Sequence, residues 1–143
     1  MMASRPQVQR VGVVGGGQLA WMMSAGAEAL GIELCVQTPN RDDPAVAIAH
    51  KTVLGPIADA SVTKELATQC NVVTFENEFI DLPALQQLEH TGTSFYPQLD
   101  CLAPLLDKYD QRQYCDRIHL PSPTFATLSN KSDLPRIKQN VET

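Results

Sequence analysis

At 143 residues, 43% apolar and 19% charged, the chain has the make-up of one soluble globular domain with at most a short appendage. A net charge of −5 with scattered Lys and Arg argues against a nucleic-acid surface. No apolar run approaches the roughly 18 residues of a membrane span, and the polar start Met1-Met2-Ala3-Ser4-Arg5-Pro6-Gln7 lacks a signal-peptide core.

Val11 to Val14 reads as a short buried strand that ends in Gly15-Gly16-Gly17. A helix follows, because Leu19, Met22, Met23, Gly26 and Leu30 recur at three- and four-residue intervals and predict its inward face. Gly31 is placed to stop it. Ile32 to Val36 is the second strand, so the unit is strand–helix–strand, with parallel strands and a right-handed crossover. A loop from Pro39 and a short helical turn over Pro44–Ala49 lead to a third strand, Lys51–Leu54, closed by Gly55-Pro56. Ser61 can cap a helix running to about Gln69, with Val62, Leu66 and Ala67 facing inward. Asn71–Phe75 is a fourth strand. Asp81 is placed to cap a helix over Leu82–Thr91, with Pro83 in its first turn and Gly92 beyond its end. Ser94-Phe95-Tyr96 reads as a fifth strand stopped by Pro97. Strands alternating with helices predict an open, mostly parallel, doubly wound α/β sheet.

The pattern changes near residue 104. A charged helix is expected over Leu105–Ile118, broken by Leu120-Pro121-Ser122-Pro123, then a strand at Thr124–Thr127 and a short helix capped from Ser129–Asp133. These pieces cannot bury a core of their own. They divide the chain into a leading domain, 1–104, and a linker helix with the incomplete start of a second domain, 105–143. Cys35, Cys70, Cys101 and Cys115 are too widely spaced for a zinc knuckle or redox dithiol and read as buried reduced thiols of a cytoplasmic protein. His50, His90 and His119 read as surface or loop residues, and no metal ligands are assigned.

The glycine cluster is the first candidate site. Unpaired N–H groups and the helix dipole at such a corner favour an anion, and glycines let a phosphate approach the backbone. Gly15-x-Gly17-x-x-Ala20 also fits the loose dinucleotide fingerprint. The NAD reading lacks its acid, since the end of the second strand is Val36-Gln37-Thr38-Pro39 and the next carboxylate is Asp42, in the loop. Glu76 and Glu78 follow the fourth strand directly. Parallel strands share one carboxyl edge, where ligands bind in open sheets, so the glycine turn and these carboxylates should line one crevice. Gln18, in the first helical turn, can reach a sugar or phosphate. Lys108 and Arg112 lie four apart, on one helix face.

Gly15-Gly16-Gly17-Gln18-Leu19, Thr74-Phe75-Glu76-Asn77-Glu78, Asp107-Lys108 with Arg112, and Leu120-Pro121-Ser122-Pro123 occur in one order. They resemble the N-terminal part of the N5-carboxyaminoimidazole ribonucleotide synthetases, the ATPase component of phosphoribosylaminoimidazole carboxylase, in the ATP-grasp superfamily. The resemblance runs from about Val11 to Phe125. It implies a Rossmann-like pre-ATP-grasp domain and the start of an ATP-grasp domain. It also implies a ligase of purine biosynthesis that uses ATP and Mg2+ to activate bicarbonate as carboxyphosphate and carboxylates the amine of 5-aminoimidazole ribonucleotide. Gly17, Gln18, Leu19 and Glu76 would then hold the ribonucleotide, and Lys108 would touch the ATP phosphates. No catalytic residue is assigned within the chain, because most ATP and Mg2+ ligands belong to the domain beyond Thr143. The 143 residues alone are expected to be inactive, and the whole enzyme to be a homodimer. Two positions depart from the family pattern: Ala20-Trp21 stands where Gly-Arg is usual, and Phe79 where Asn or His is usual. The competing readings are another ATP-grasp ligase (formate-dependent glycinamide ribonucleotide transformylase or a biotin carboxylase domain), a non-catalytic nucleotide- or phosphate-binding module, and a dehydrogenase fragment.

Overall fold

The computed structural model describes residues 8–141 and divides into two compact units, with the boundary between Ala103 and Pro104. The first holds four strands, β1 (Arg10–Val14), β2 (Glu33–Thr38), β3 (Lys51–Leu54) and β4 (Val72–Phe75), all parallel in the order β3-β2-β1-β4. Helices α1 (Gln18–Leu30), α2 (Ala60–Ala67) and α3 (Leu82–His90) and a 3-10 turn at Pro44–Ala47 connect them. Val13, Leu34 and Val36 pack with Ala20 and Ala45 on one face of the sheet. Val14, Cys35, Val53 and Val73 pack with Leu66 and Leu85 on the other. The expected doubly wound α/β sheet is therefore present.

Two local rules explain how closely the layers approach. Gly12 is buried, and a Cβ there would lie 2.9 Å from Leu66 Cδ2, so its missing side chain is the space into which α2 settles. Cys70 packs at the same spot, and burial pushes its thiol up to about 12, which keeps it protonated and unreactive. All four cysteines are free, but only Cys35 is fully buried and Cys101 is exposed, so the expectation of four buried thiols is corrected.

Helix α1 turns a different face inward from the one expected. Ala20 is fully buried, with Met23 and Ala27 half-buried against the same cluster, whereas Leu19, Met22 and Leu30 are 58%, 62% and 73% exposed. Alanine at the contact lets the helix lie close over Val13 and Val36, and the bulkier stripe is left outward. Gly31 ends the helix in the left-handed region, at φ 67°, as its position suggests. The cap of α2 is Asp59 rather than Ser61: its carboxylate accepts from Ser61 N–H at 2.9 Å and Ser61 Oγ–H at 2.6 Å. Asp81 caps α3 by accepting from Ala84 N–H at 3.1 Å. The expected fifth strand shrinks to a single parallel bridge, Val73 to Phe95, made by Val73 N–H to Ser94 O and Tyr96 N–H to Val73 O, each at 2.9 Å, and Pro97, a poor strand residue, follows at once. A short helix, α4 (Leu99–Leu102), follows and buries Leu99.

In the second unit α5 spans Lys108–Arg117, shorter than the expected Leu105–Ile118. Asp107 sets its start by accepting from Tyr109 N–H at 2.7 Å and Asp110 N–H at 3.1 Å, and Ala103–Leu105 forms a separate 3-10 turn. Thr124–Thr127 forms no strand, since no neighbouring strand among the described residues pairs with it. Instead Phe125 packs edge-on against Tyr109, with ring centroids 5.9 Å apart. Asn130 and Asp133 form a reciprocal capping box ahead of the last helix, α6 (Leu134–Val141). Among the described residues, no helix is long and apolar enough to cross a membrane.

Candidate functional site

The strand order positions the site. From β1 the chain winds outward to β2 and β3, then returns across the sheet to β4 on the opposite flank of β1. Beyond the carboxyl ends of β1 and β4 the connections therefore diverge and leave a crevice between them. Val14 pairs with Phe75, so Gly15 and Glu76 leave the sheet side by side, and Glu76 N–H donates to Val14 O at 3.0 Å. The glycine turn and Glu76, expected at one edge of the sheet, stand together there.

Glu76 fills the space that the glycines leave. Gly15 is at φ +120°, a backbone region that favours glycine. A Cβ on Gly15 would strike the Glu76 carboxylate and lie 2.8 Å from Asn77 Nδ2. On Gly17 it would lie 2.6 Å from Glu76 Oε1. The carboxylate thus lies over the glycine loop at the start of α1. No side chain caps α1, and no acid stands in its first turn. Gln18 and Leu19 are both exposed on that turn. Gly17, Gln18, Leu19 and Glu76 are accordingly brought together on one rim. Glu78 is exposed farther along the β4 loop. There Asn77 Oδ1 accepts from Phe79 N–H at 3.0 Å and leaves the Phe79 ring 72% exposed.

A second layer, not foreseen from the sequence, props the loop. Thr38, fully buried at the end of β2, donates its hydroxyl to Asp43. A Cβ on Gly16 would lie 2.7 Å from Thr38 Cβ, and Ala45 N–H donates to Gly16 O at 3.0 Å. Gln37 is also fully buried. Its backbone oxygen accepts from Gly15 N–H at 2.9 Å, its amide donates to Pro56 O at 2.8 Å, and it accepts from Thr63 Oγ1–H at 2.8 Å. Asp43-Pro44, an acid before proline at a helical start, is the one sequence signal that pointed here.

Lys108 belongs to the second unit. It stands exposed in the first turn of α5, its Nζ 3.5 Å from Gln111 Oε1. Asp107 already occupies the N–H groups of that turn, so an anion would meet the ammonium rather than a free helix end. Arg112 lies one turn on, half-buried. His50, His90 and His119 are exposed, and none adjoins the crevice loops in sequence. Among the described residues no three His, Cys, Asp or Glu side chains gather as a metal site.

The ribonucleotide synthetase preATP-grasp domain profile matches residues 8–104. An N5-carboxyaminoimidazole ribonucleotide synthase of Synechococcus elongatus is 58% identical over 122 residues, which are 85% of this chain and 31% of that protein. A chloroplastic phosphoribosylaminoimidazole carboxylase of Vigna aconitifolia is 31% identical over 84% of this chain and 22% of its own length. Among solved structures, an ADP complex of an N5-carboxyaminoimidazole ribonucleotide synthetase aligns with a TM-score of 0.82 at 25% identity, covering 96% of this chain and 37% of that one. The Aspergillus clavatus enzyme in complex with ADP and 5-aminoimidazole ribonucleotide aligns with a TM-score of 0.76 at 25% identity, over 92% and 36%. The chain thus spans about a third of the length of these synthases.

Proposed function

The chain belongs to the ribonucleotide synthetase preATP-grasp domain family, and on that premise we propose that it is the ribonucleotide-binding leading part of an ATP-dependent ligase. The reaction is carboxylation of 5-aminoimidazole ribonucleotide by bicarbonate to N5-carboxyaminoimidazole ribonucleotide, a step of purine biosynthesis. The observation that carries this reading is the Glu76 carboxylate lying over the uncapped glycine corner of α1. One rim thereby offers backbone N–H groups of Gln18 and Leu19 as donors and a carboxylate as acceptor. The donors suit a sugar or phosphate oxygen. Glu76 suits a ligand N–H or O–H, and an aminoimidazole ribonucleotide carries both kinds of group.

Lys108 is assigned to the ATP phosphates, where an ammonium neutralises charge during phosphoryl transfer. ATP supplies the phosphoryl group that activates bicarbonate. Among the described residues no group of three or more His, Cys, Asp or Glu side chains gathers that could hold Mg2+. The boundary near residue 104 separates the ribonucleotide platform from the start of the ATP-grasp part. The 143 residues alone are inactive, and the complete enzyme works as a cytoplasmic homodimer.

Calorimetric titration of the chain with 5-aminoimidazole ribonucleotide tests the reading. Glu76→Gln keeps the shape but removes the charge, and should weaken binding by about 1.5–3 kcal/mol if the carboxylate accepts from the ligand. Unchanged affinity in that variant would remove Glu76 from the site. No heat with the unaltered chain would remove the ribonucleotide reading itself.

A further inference from the structure

The three glycines after β1 are gripped from two sides. Gly15 and Gly17 lie against Glu76, whereas Gly16 lies against the end of β2: a Cβ on it would be 2.7 Å from Thr38 Oγ1 and 3.0 Å from Asp43 Cβ. One carboxylate therefore stands over the loop from the β4 side, and a second, with its threonine donor, backs the middle of the loop from the β2 side.

The β2 side is a closed polar ring. Thr38 is fully buried and Asp43 half-buried. The Thr38 hydroxyl donates to Asp43 Oδ2 and accepts from Asn40 N–H at 3.4 Å, and Asp43 N–H donates to Asn40 O at 3.3 Å. Two further bonds tie the neighbouring turns to the same place: Gly55 N–H donates to Thr38 O, and Ala45 N–H to Gly16 O, each at 3.0 Å. Gly17, the next residue, accepts from Trp21 N–H at 3.0 Å, which is the first bond of α1. Setting Gly16 thus sets the start of α1.

We infer that Asp43, acting through Thr38, is a positioning residue: it fixes Gly16, and so the separation between the N–H groups of Gln18 and Leu19 and the Glu76 carboxylate. This rests on the ribonucleotide reading above and gives neither Thr38 nor Asp43 a contact with the ligand. An apolar pair could fill the same volume, often at lower cost than a buried charge. It would not fix the loop in the same way, because apolar contact is non-directional whereas a hydrogen bond weakens steeply off its line. A ligand held by donors on one loop and an acceptor on another depends on that spacing, since such sites hold their geometry to within about 0.5 Å.

The test titrates 5-aminoimidazole ribonucleotide into the chain and its variants by calorimetry. Thr38→Val keeps the outline of the side chain and removes the hydroxyl; it should weaken binding about 10-fold. Thr38→Ser returns the hydroxyl and should bind within about twofold of the unaltered chain. Asp43→Ala should match Thr38→Val, and the double variant should lose no more than the weaker binder of the two, because the pair acts as one unit. Residue-resolved amide exchange supplies a readout that needs no ligand. In Thr38→Val the Ala45 and Trp21 N–H groups should exchange faster while the β1 amides keep their protection, which also shows that the variant is folded. Unchanged affinity in Thr38→Val overturns the inference and leaves the ribonucleotide reading standing. So does a loss that Thr38→Ser fails to reverse, or exchange that quickens throughout β1, since either marks a prop of the fold alone. If the unaltered chain binds no ribonucleotide, the ribonucleotide reading falls and this inference with it.

Discussion

The two units of this chain are held together by different forces. In the first, thirteen apolar residues from Val13 to Leu99 are buried, most of them completely, in clusters on both faces of the sheet. In the second, none of the residues with described burial is buried, and Leu105, Ile118, Leu120, Leu128 and Leu134 are 43–57% exposed. Its order comes from the Asp107 cap, the Asn130–Asp133 capping box and the Tyr109–Phe125 contact. A buried leucine contributes several kcal/mol, a cap about one. The crevice is thus carried by the unit with a core of its own, and Lys108 by a unit that depends on local bonds. Short helices without tertiary burial are marginal in water.

The sharpest way to break this contrast is to remove one core side chain from the first unit and its exposed counterpart from the second. Leu66→Ala should lower stability by about 2–5 kcal/mol, because Leu66 is fully buried between α2 and Gly12. Leu134→Ala should stay within about 0.5 kcal/mol. Trp21, the single tryptophan, sits in α1 and reports only the first unit. Urea melts followed by its fluorescence therefore isolate the core-held part. Equal losses for the two variants would show that the second unit shares the same cooperative core.

A smaller effect is expected from the cap of α5. Asp107→Ala strands the Tyr109 and Asp110 N–H groups and should cost that helix about 0.5–2 kcal/mol. The far-UV circular dichroism should lose helical signal while the Trp21 fluorescence midpoint stays in place. A shift of that midpoint would mean that the two units unfold as one.

The sequence was legible where a residue type acts locally and ambiguous where tertiary packing decides. Gly31, Asp81, Pro83 and the glycine corner carry their meaning in their own backbone requirements, and each stands where the pattern placed it. The pairing of Gly15 with Glu76 was also legible, because parallel strands must share a carboxyl edge. The inward face of α1 was not. Periodicity favoured its bulky stripe, but close approach to the sheet selected Ala20 and Ala27. The burial of Gln37 and Thr38, polar residues at the end of the second strand, was not legible either. They are buried because Pro56, Thr63 and Asp43 satisfy their polar atoms from elsewhere in the chain. Thr124–Thr127 has the composition of a strand and, among the described residues, no partner to make it one.

The smallest expected effect compares a cap in the core-held unit with the cap of α5. Asp59 starts α2 as Asp107 starts α5, but Leu66 and Thr63 bury α2 against the sheet independently of its cap. The Ser61 hydroxyl, and then its N–H, hold the Asp59 carboxyl below the usual carboxylate range. A carboxyl depressed by folding contributes stability above its unfolded value, near pH 4, and loses it as pH falls through the lower folded value. Asp59→Asn keeps an acceptor oxygen but no charge. Its thermal midpoint should therefore fall slightly below that of the unaltered chain at pH 7. The gap should narrow as the pH drops below about 4 and close once the carboxyl is protonated in both states. A gap that persists unchanged into acid would show that the hydrogen-bond geometry of the cap, rather than its charge, supports α2.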